Sequence, residues 1–321
     1  MRIADLHCDL LSYLADNKER TPNEPKCRCS FPQLKKGNVA IQVLAIFTQT
    51  GENGIEAAKK QLALFQTLPK SYPSDCRHLK DLPSSPEEGK VSFLAAIENL
   101  SGLCDETESL ENGLFRLVQY QEQANPILYV SLTWHEENRF GGGDRSKAGL
   151  KRDGEIVLDY LNETAIAIDL SHTSDALAED ILNYIDKKGL NLTPIASHSN
   201  FRSICHHPRN LPDPFAKEIV NRGGVIGFNF VKPFVGQKSP EDFMRHVDHA
   251  HKLGVQNHYC FGADFFFEDD FPHSSPAFYD RFGNAGCYQE LINYLSTAYS
   301  LSELEKLAYK NLNNFLTRQI L

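Results

Sequence analysis

The chain has 321 residues, of which 41% are hydrophobic and 23% are charged, and its formal net charge at pH 7 is −9. This length and composition allow a large buried core, which excludes a disordered or fibrous protein. The acidic balance argues against nucleic acid and against an anionic membrane as partners. The longest strongly apolar stretch, residues 39–47, is too short to span a bilayer.

The amino-terminal segment leads directly into an apolar run and lacks the hydrophobic region of a signal peptide. We therefore expect a cytoplasmic protein. Its eight cysteines are expected to be reduced, because disulfides are rare in chains without an export signal. Cys27 and Cys29 have no second Cys or His pair at zinc-finger spacing, so a polar surface loop is expected there.

Short apolar runs alternate with helical stretches along the chain. Eight runs are predicted to be parallel strands covered on both faces, because they are short and nearly continuously apolar. They are residues 3–9, 39–48, 91–97, 127–133, 165–170, 192–197, 224–230 and 259–264. Helices are predicted over residues 55–68, 106–122, 174–188, 214–222 and 239–253. Two closing helices follow over 285–299 and 302–319, the last with Ser302 and Glu305 as its capping box.

Eight successive strand-then-helix units predict an α/β fold of the (β/α)₈ TIM-barrel type, with a doubly wound open sheet as the alternative. Residues 1–321 are then expected to form a single domain. Polar, proline-containing stretches at about 20–37, 69–90, 135–155 and 265–285 interrupt the pattern. We predict that they are enlarged loops, because none brings a core of its own. The loop of residues 138–144, with three consecutive glycines, is expected to be a flexible loop at the rim and not a phosphate-binding loop, because no Lys-Ser/Thr pair follows it.

The first predicted strand ends in His7-Cys8-Asp9. Because the side chains of a strand alternate, Asp5, His7 and Asp9 are expected to share one face. An imidazole and a carboxylate on one strand face form half of a divalent metal site. Alone, the pattern is weak, since an exposed strand end can carry the same residues.

Candidate metal ligands also follow four other predicted strands. Glu98 follows the third, His172 the fifth, His198 the sixth and Asp264 is at the end of the eighth. The carboxyl ends of barrel strands meet at one face, where active sites of such barrels lie. Three imidazoles and three carboxylates suit two divalent metal ions, most naturally zinc, with manganese, iron or cobalt as alternatives.

These residues and their neighbours resemble the membrane (renal) dipeptidase family, peptidase family M19, of the amidohydrolase-type metal-dependent hydrolases. The matching motifs occur in the family's order through most of the chain. They are Asp5-Leu-His-Cys-Asp9, Glu98, Ile168-Asp-Leu-Ser-His172, Ser197-His-Ser199 with Arg209-Asn-Leu-Pro-Asp213, and Gly262-Ala-Asp264-Phe. The block from Ser197 to Asp213 is the most specific, because both its residues and its spacing match.

The resemblance implies a metallo-dipeptidase that hydrolyses dipeptides, including L-Xaa-D-Xaa, by means of a hydroxide that bridges two divalent metal ions. It implies that His7 and Asp9 bind one metal ion. His172 and His198 would bind the other, and Glu98 would bridge the two.

The resemblance also implies roles in substrate binding and proton transfer. Arg209 would hold the free carboxylate of the dipeptide, and Asp264 would shuttle the proton. The role of Arg209 agrees with its chemistry, since a guanidinium group pairs with a carboxylate through two hydrogen bonds.

The chain departs from the family pattern around the expected substrate. Trp134 stands where the family often has a substrate-binding His, and His135 follows one residue later. A shift of one residue along a strand reverses the side-chain face, so both Trp134 and His135 remain candidates for substrate contact. Asn99 replaces the usual Gly after the bridging Glu, and Phe266 replaces a second Asp. Substrate choice is therefore less well defined than the metal ligands.

Two other functions remain open. One is a binuclear hydrolase acting on another carboxylate-bearing amide or ester, such as an N-acyl amino acid or a lactone. The other is a non-catalytic metal-binding barrel, which the presence of the full ligand set and Asp264 disfavours. The expected partner is a small-molecule substrate, with neither nucleic acid nor membrane, and the chain is expected to act alone or as a homodimer.

Overall fold

The computed structural model describes residues 1–51, 53–79, 89–162, 164–236, 239, 241–270 and 276–320. Nine strands lie within these residues. They are β1 (Ile3–Cys8), β2 (Val39–Phe47), β3 (Cys76–His78), β4 (Val91–Glu98), β5 (Ile127–Ser131), β6 (Ala167–Asp169), β7 (Pro194–Ile195), β8 (Ile226–Phe228) and β9 (Tyr259–Phe261). All eight predicted strands are present, and β3 is an additional one.

Eight of the strands form a nearly closed parallel barrel. Their order is β7-β6-β5-β4-β2-β1-β9-β8. An isolated bridge between Ala196 and Ile226 joins the end of β7 to β8 and nearly closes the ring. The additional strand β3 pairs with the start of β4, outside this path. The predicted TIM barrel is confirmed, and the order excludes a doubly wound open sheet.

The helices of the described residues alternate with the strands and surround the barrel. They are α1 (Leu10–Asp16), α2 (Phe31–Gly37), α3 (Gly54–Ser71), α4 (Leu110–Ala124), α5 (Arg152–Leu161), α6 (Asp175–Lys188), α7 (Asp213–Asn221), α8 (Lys232–Val235), α9 (Asp242–Leu253), α10 (Tyr288–Leu295), α11 (Leu301–Glu305) and α12 (Asn311–Ile320). A π-helical turn, Lys306–Lys310, joins α11 to α12. In the part of the chain described here, no helix is both long enough and apolar enough to cross a membrane.

The predicted helices are present with ends shifted by a few residues, and the short helices α1, α2, α5 and α8 were not predicted. Helix α2 lies inside the stretch 20–37 that was predicted to be an enlarged loop, and α5 begins within the predicted loop 135–155 and continues beyond it. The predicted loops at 69–90 and 265–285 lie partly outside the described residues. Helix α2 begins with a capping box of Ser30 and Gln33. The capping box predicted at residues 302 and 305 is wrong, because α11 begins at Leu301 and is capped by Ser300 and Glu303.

The apolar core has two layers, as expected for a barrel enclosed by helices. The larger layer lies between the strands and the surrounding helices. The other fills the barrel interior with small and aliphatic side chains, and α12 adds Leu312, Phe315 and Leu316 to it. Polar side chains are therefore concentrated where the strands end.

Strand β1 bulges just before the candidate site. Between Asp5 and Cys8 it has one residue more than the facing segment of β2, which interrupts the alternation of side chains. Asp5 accepts a hydrogen bond from Tyr288 of α10, whereas His7 contacts Tyr129 of the interior cluster. The shared face predicted for Asp5 and His7 is therefore wrong, because the bulge separates their surroundings.

All eight cysteines are free thiols. Cys27 and Cys29 are both buried, and the Cys29 thiol lies 3.8 Å from the carbonyl oxygen of Phe265. The polar surface loop predicted there is wrong, because this segment packs beneath the loop that follows β9.

Candidate metal centre

Six predicted site residues lie together in one buried region at the carboxyl ends of the barrel strands. None of them is more than 8% exposed. Residues distant in sequence meet here because all strands of a parallel barrel end at the same face. The six are His7, Asp9, Glu98, His172, His198 and Asp264.

Glu98, the last residue of β4, stands between two sets of imidazoles. Its Oε2 lies 3.2 Å from Nε2 of His7, while its Oε1 lies 3.0 Å from Nε2 of His172 and 3.5 Å from Nε2 of His198. Asp9 Oδ2 approaches the same nitrogen of His7 at 3.9 Å. Two potential ligand groups therefore share one carboxylate.

The surroundings of His7 fix which of its ring nitrogens carries the proton. The hydroxyl of Tyr129 donates to the carbonyl oxygen of Leu6 at 3.2 Å, so it accepts from Nδ1 of His7 at 2.7 Å. In the neutral form of the ring, the lone pair is therefore on Nε2, the nitrogen that faces Glu98. A metal ligand needs this neutral form.

The other two histidines are held in the same way by different groups. Ser197 donates its hydroxyl proton to Asp169 and therefore accepts from Nδ1 of His198 at 2.6 Å. Nδ1 of His172 lies 3.3 Å from Oδ1 of Asp144, a carboxylate oxygen that can only accept. Three imidazoles thus direct an Nε2 lone pair toward one centre, an arrangement characteristic of metal-binding histidines.

The donor set fits two divalent cations. Nε2 of His172 and Nε2 of His198 lie 3.1 Å apart, and two lone pairs at this distance repel each other unless a cation lies between them. Two ligand atoms that bind the same zinc ion tetrahedrally lie about 3.3 Å apart at the usual zinc–ligand bond lengths. Nε2 of His7 and Oδ1 of Asp9 are buried without a hydrogen-bond partner among the described residues. Each is an atom that a metal ion would satisfy.

The electrostatics of the centre are dominated by buried carboxylates. Burial raises the pKa of Asp9 and of Asp264, and the negative charge of Glu98 raises both further. Burial alone would lower the pKa of His7, but Glu98, Asp9 and Asp264 outweigh it and raise that pKa to about 10. The region therefore attracts positive charge strongly.

Asp264 is held at one oxygen and open at the other. Its Oδ2 accepts a hydrogen bond from Nδ2 of Asn229 at 2.8 Å, and its Oδ1 lies 3.7 Å from Nε2 of His7. Asn229 also donates to the carbonyl oxygen of His198 at 3.1 Å. The orientation of Asp264 is thus fixed with Oδ1 toward the centre.

Arg209 is nearly buried beside the centre, at 4% exposure. It donates from Nη1 to the hydroxyl of Ser199 and from Nη2 to the carbonyl oxygen of His198, each at 3.1 Å. Its Nε is buried without a hydrogen-bond partner among the described residues, and its guanidinium group lies 5.7 Å from the ring centre of Phe234. The side chain therefore keeps a hydrogen-bond donor for an anionic ligand.

A cavity of about 470 Å³ opens at the centre, and Arg209 is not among the residues that line it. Its polar wall includes Asp9, Glu98, Asp144, His172 and Asp264. Its apolar wall is rich in aromatic rings and proline, from Phe47, Trp134, Pro208, Val231, Pro233, Phe234 and Phe266. A cavity of this size with few converging polar groups is typical of a small-molecule site.

Trp134 and His135 both line this cavity. Their ring centres are 4.0 Å apart, and Nδ1 of His135 lies 2.8 Å from Oδ1 of Asp144. Burial lowers the pKa of His135 to about 4. The two side chains can share the cavity because β5 ends at Ser131, so strand alternation does not apply to them.

Three residues at the site have a left-handed backbone conformation that is rare outside glycine. Their φ angles are 69° for Asn99, 65° for His172 and 62° for Asp264. Asn tolerates this conformation better than most residues, which explains how it replaces the usual Gly after Glu98. Strained backbone of this kind concentrates at functional sites.

Four residues to which the sequence analysis assigned no role complete the surroundings of the centre, although Asp169 lies within a matched motif: Tyr129, Asp144, Asp169 and Asn229. Asp169 and Asn229 are polar residues inside predicted apolar strands, and that contrast is a usable signal. Asp144 follows three glycines in a long connecting segment, where nothing in the local sequence indicates a role.

The barrel fold is shared with solved metallo peptidases. A solved metallo peptidase from Rhodobacter sphaeroides, liganded with a phosphinate mimic of the dipeptide L-Ala-D-Ala, superposes with a TM-score of 0.85. The two chains are 17% identical, with 99% of each covered. The dipeptidase AC, a metallo peptidase of family M19, also gives 0.85, at 18% identity and 99% coverage of each chain.

The family model of the membrane dipeptidases, peptidase family M19, matches residues 1–318, and the chain belongs to this family. The predicted resemblance is thus confirmed. Dipeptidase verJ of Clonostachys rogersoniana is 28% identical over 222 residues. The match includes 66% of this chain but only 53% of that protein, so the chain spans about half the length of this relative. An uncharacterized protein from the pqqA 5′ region of Klebsiella pneumoniae is 25% identical over 252 residues, which cover 74% of this chain and 85% of that protein.

Proposed function

We propose that this protein is a metal-dependent dipeptidase that hydrolyses the peptide bond of dipeptides, including those with a D-residue at the carboxyl end. The observation that carries the proposal is the position of Glu98, whose two oxygens face His7 on one side and His172 and His198 on the other. Membership of the dipeptidase family and the phosphinate dipeptide mimic in the Rhodobacter sphaeroides metallo peptidase support the substrate class.

In this proposal two zinc ions occupy the centre. His7, Asp9 and Glu98 hold one ion, and Glu98, His172 and His198 hold the other. The absence of a thiolate among these side chains, and the mixture of imidazole and carboxylate, suit zinc and do not exclude manganese, iron or cobalt.

When bound, two such ions would polarise the scissile carbonyl and lower the pKa of a water molecule toward neutrality. Asp264 accepts the proton of the attacking water at Oδ1, while Asn229 holds Oδ2, and it returns that proton to the leaving amine. Arg209 pairs with the carboxylate of the substrate through its guanidinium group. The aromatic wall of the cavity excludes bulk water from the reacting bond.

The test combines metal content with a substrate panel. The purified protein is analysed for metal ions per chain, stripped with a chelator and reconstituted with zinc. We expect two ions per chain and hydrolysis of L-Ala-L-Ala and L-Ala-D-Ala only after reconstitution. Full activity with fewer than two ions per chain would contradict the two-metal assignment.

The same panel separates dipeptides from the other substrates that Arg209 could hold. It includes N-acetyl-L-alanine, N-acetyl-L-Ala-L-Ala and a carboxylate-bearing lactone. Turnover of these compounds without turnover of any free dipeptide would replace the dipeptidase assignment with a different binuclear hydrolase.

A further inference from the structure

Asp144 belongs to none of the motifs that link this chain to its family, yet its carboxylate is buried against the candidate metal centre. Its side chain is only 4% exposed and lines the cavity. One oxygen, Oδ1, serves two imidazoles: Nδ1 of His135 at 2.8 Å and Nδ1 of His172 at 3.3 Å. The two rings lie edge to face, with centres 5.0 Å apart.

This arrangement fixes both rings in the same protonation pattern. A carboxylate oxygen only accepts, so Nδ1 of both His135 and His172 carries a proton and Nε2 of both carries a lone pair. In His172 that lone pair faces Glu98 and His198. His135 lines the cavity, and its Nε2 has no hydrogen-bond partner among the described residues.

Two glycines hold the Asp144 segment close to the end of β5. A Cβ atom at Gly143 would lie 2.1 Å from the carbonyl oxygen of Trp134, and one at Gly142 would lie 2.2 Å from that of Ala148. The amide of Arg145 donates to the carbonyl oxygen of His135 at 2.9 Å. The segment is therefore packed in place, and the flexible rim loop predicted here is wrong.

We propose that Asp144 is a positioning residue for two imidazoles, holding His172 as a metal ligand and His135 as a hydrogen-bond acceptor for the substrate. The inference rests on the proposed function. A hydrogen-bond acceptor at this wall can pair with an N–H group of a dipeptide. The ester group of a lactone has no N–H group to donate. The ring nitrogen of Trp134 can only donate, so Trp134 cannot accept this hydrogen bond. His135, one residue later, accepts it instead.

The test compares two variants with different expected effects. In Asp144→Ala, His172 loses its partner, and we expect affinity for one of two zinc ions to fall 10- to 100-fold in chelator competition. In His135→Phe, Asp144 and His172 are still paired, so both zinc ions should bind with unchanged affinity. The KM for L-Ala-D-Ala should rise several-fold in that variant, with a smaller change in kcat.

Two further variants are measured: Asp144→Asn as a milder substitution and Glu137→Gln as a control. Asn at 144 keeps an acceptor oxygen without the charge, so an intermediate zinc affinity is expected, and this variant replaces Asp144→Ala if the latter does not fold. Glu137 is half-exposed on the same segment, and its variant should match the wild type.

Unchanged zinc affinity in both Asp144 variants would overturn the positioning role, and unchanged KM in His135→Phe would overturn the substrate contact. If the wild type cleaves no dipeptide, the proposed function fails, while the zinc measurements still decide the role of Asp144.

Discussion

Asp264 has two oxygens with different partners, and this difference determines what a substitution there would do. Asn229 is a donor at Oδ2, so any replacement must keep an acceptor on that side. An Asn at position 264 can do so with its amide oxygen. Its NH₂ group then takes the place of Oδ1 and faces the centre as a donor.

We therefore expect Asp264→Asn to bind metal normally and to lose at least about 100-fold in turnover, the usual contribution of a general base. The measurement is metal content per chain together with kcat for a dipeptide. His172→Ala is the matched comparison, because it should lose one metal ion. Normal turnover by Asp264→Asn would show that the proton is carried by another group.

His246 shows that a buried histidine in this chain need not belong to the metal centre. It is fully buried in α9, accepts from the amide of Phe201 at Nδ1 and donates from Nε2 to the carbonyl oxygen of Val235 at 2.8 Å. Burial lowers its pKa to about 4, with smaller contributions in the same direction from Arg245 and His249, and the Val235 hydrogen bond and Asp242 only partly oppose this. Protonation would break the bond to Phe201.

The consequence is a loss of stability in acid. The unfolded chain binds a proton at this residue near pH 6.5 and the folded chain only near pH 4, so its contribution is complete above pH 6.5 and lost as the pH falls toward 4. The expected loss is about 3 kcal/mol at the acid end of this range. Urea unfolding at pH 7 and pH 4.5 should show a smaller pH dependence in His246→Gln than in the wild type. Equal pH dependence in the two proteins would contradict this assignment.

Among the elements, the segment between β5 and α5 depends most on backbone contact. Gly143 donates from its amide to the carbonyl oxygen of Glu136 at 3.1 Å and forms a bridge with Thr173. It has no room for a side chain beside Trp134. The position of Asp144 is therefore set by the main chain of its neighbours.

Gly143→Ala should displace this segment, because its Cβ would overlap the carbonyl group of Trp134. We expect a loss of about 1–3 kcal/mol in unfolding free energy, as for overpacked sites, together with a raised KM. Gly189→Ala is the control: its Cβ meets no atom within 4 Å, but its φ of 64° is unfavourable for Ala. It should lose stability without a change in KM. An unaltered KM in Gly143→Ala would mean that the segment does not shape the cavity.

The sequence was sufficient for the strands and for the residues at their ends, because buried parallel strands are continuous apolar runs and polar residues stand out where they stop. It was insufficient for β1, since a bulge has no composition of its own and Asp5 was placed on the wrong face. It also failed for α2, a short helix inside a polar stretch, and for α5, which begins in one. Asp144 could not be predicted, because its position depends on a close backbone approach of Gly143 to Trp134 that no residue pattern specifies.

For the molecule as a whole, the metal centre ties strands from opposite sides of the barrel through Glu98. A metal ion that binds only the folded chain stabilises it by about 2.7 kcal/mol at a free concentration one hundred times its Kd. Removing metal by a chelator should therefore lower the melting temperature by several degrees. Calorimetry with and without chelator measures this effect.

Glu98→Ala provides the comparison, since without the shared carboxylate the chelator should have a much smaller effect on the melting temperature. A wild-type melting temperature that is indifferent to chelator would contradict metal binding at this centre.

Asp5 also constrains when the site can form. Besides the bond from Tyr288, it accepts from the amide of Ala263 at 3.0 Å, and the amino group of Met1 donates to Gln289 at 2.8 Å. Strand β1 is thus completed by contacts with residues 258 and 283 positions away in the sequence. Contacts of such long sequence separation form late in folding. Because β1 also carries His7 and Asp9, we expect metal binding to follow the packing of the Ala263 and Tyr288 segments against β1 and not to start it.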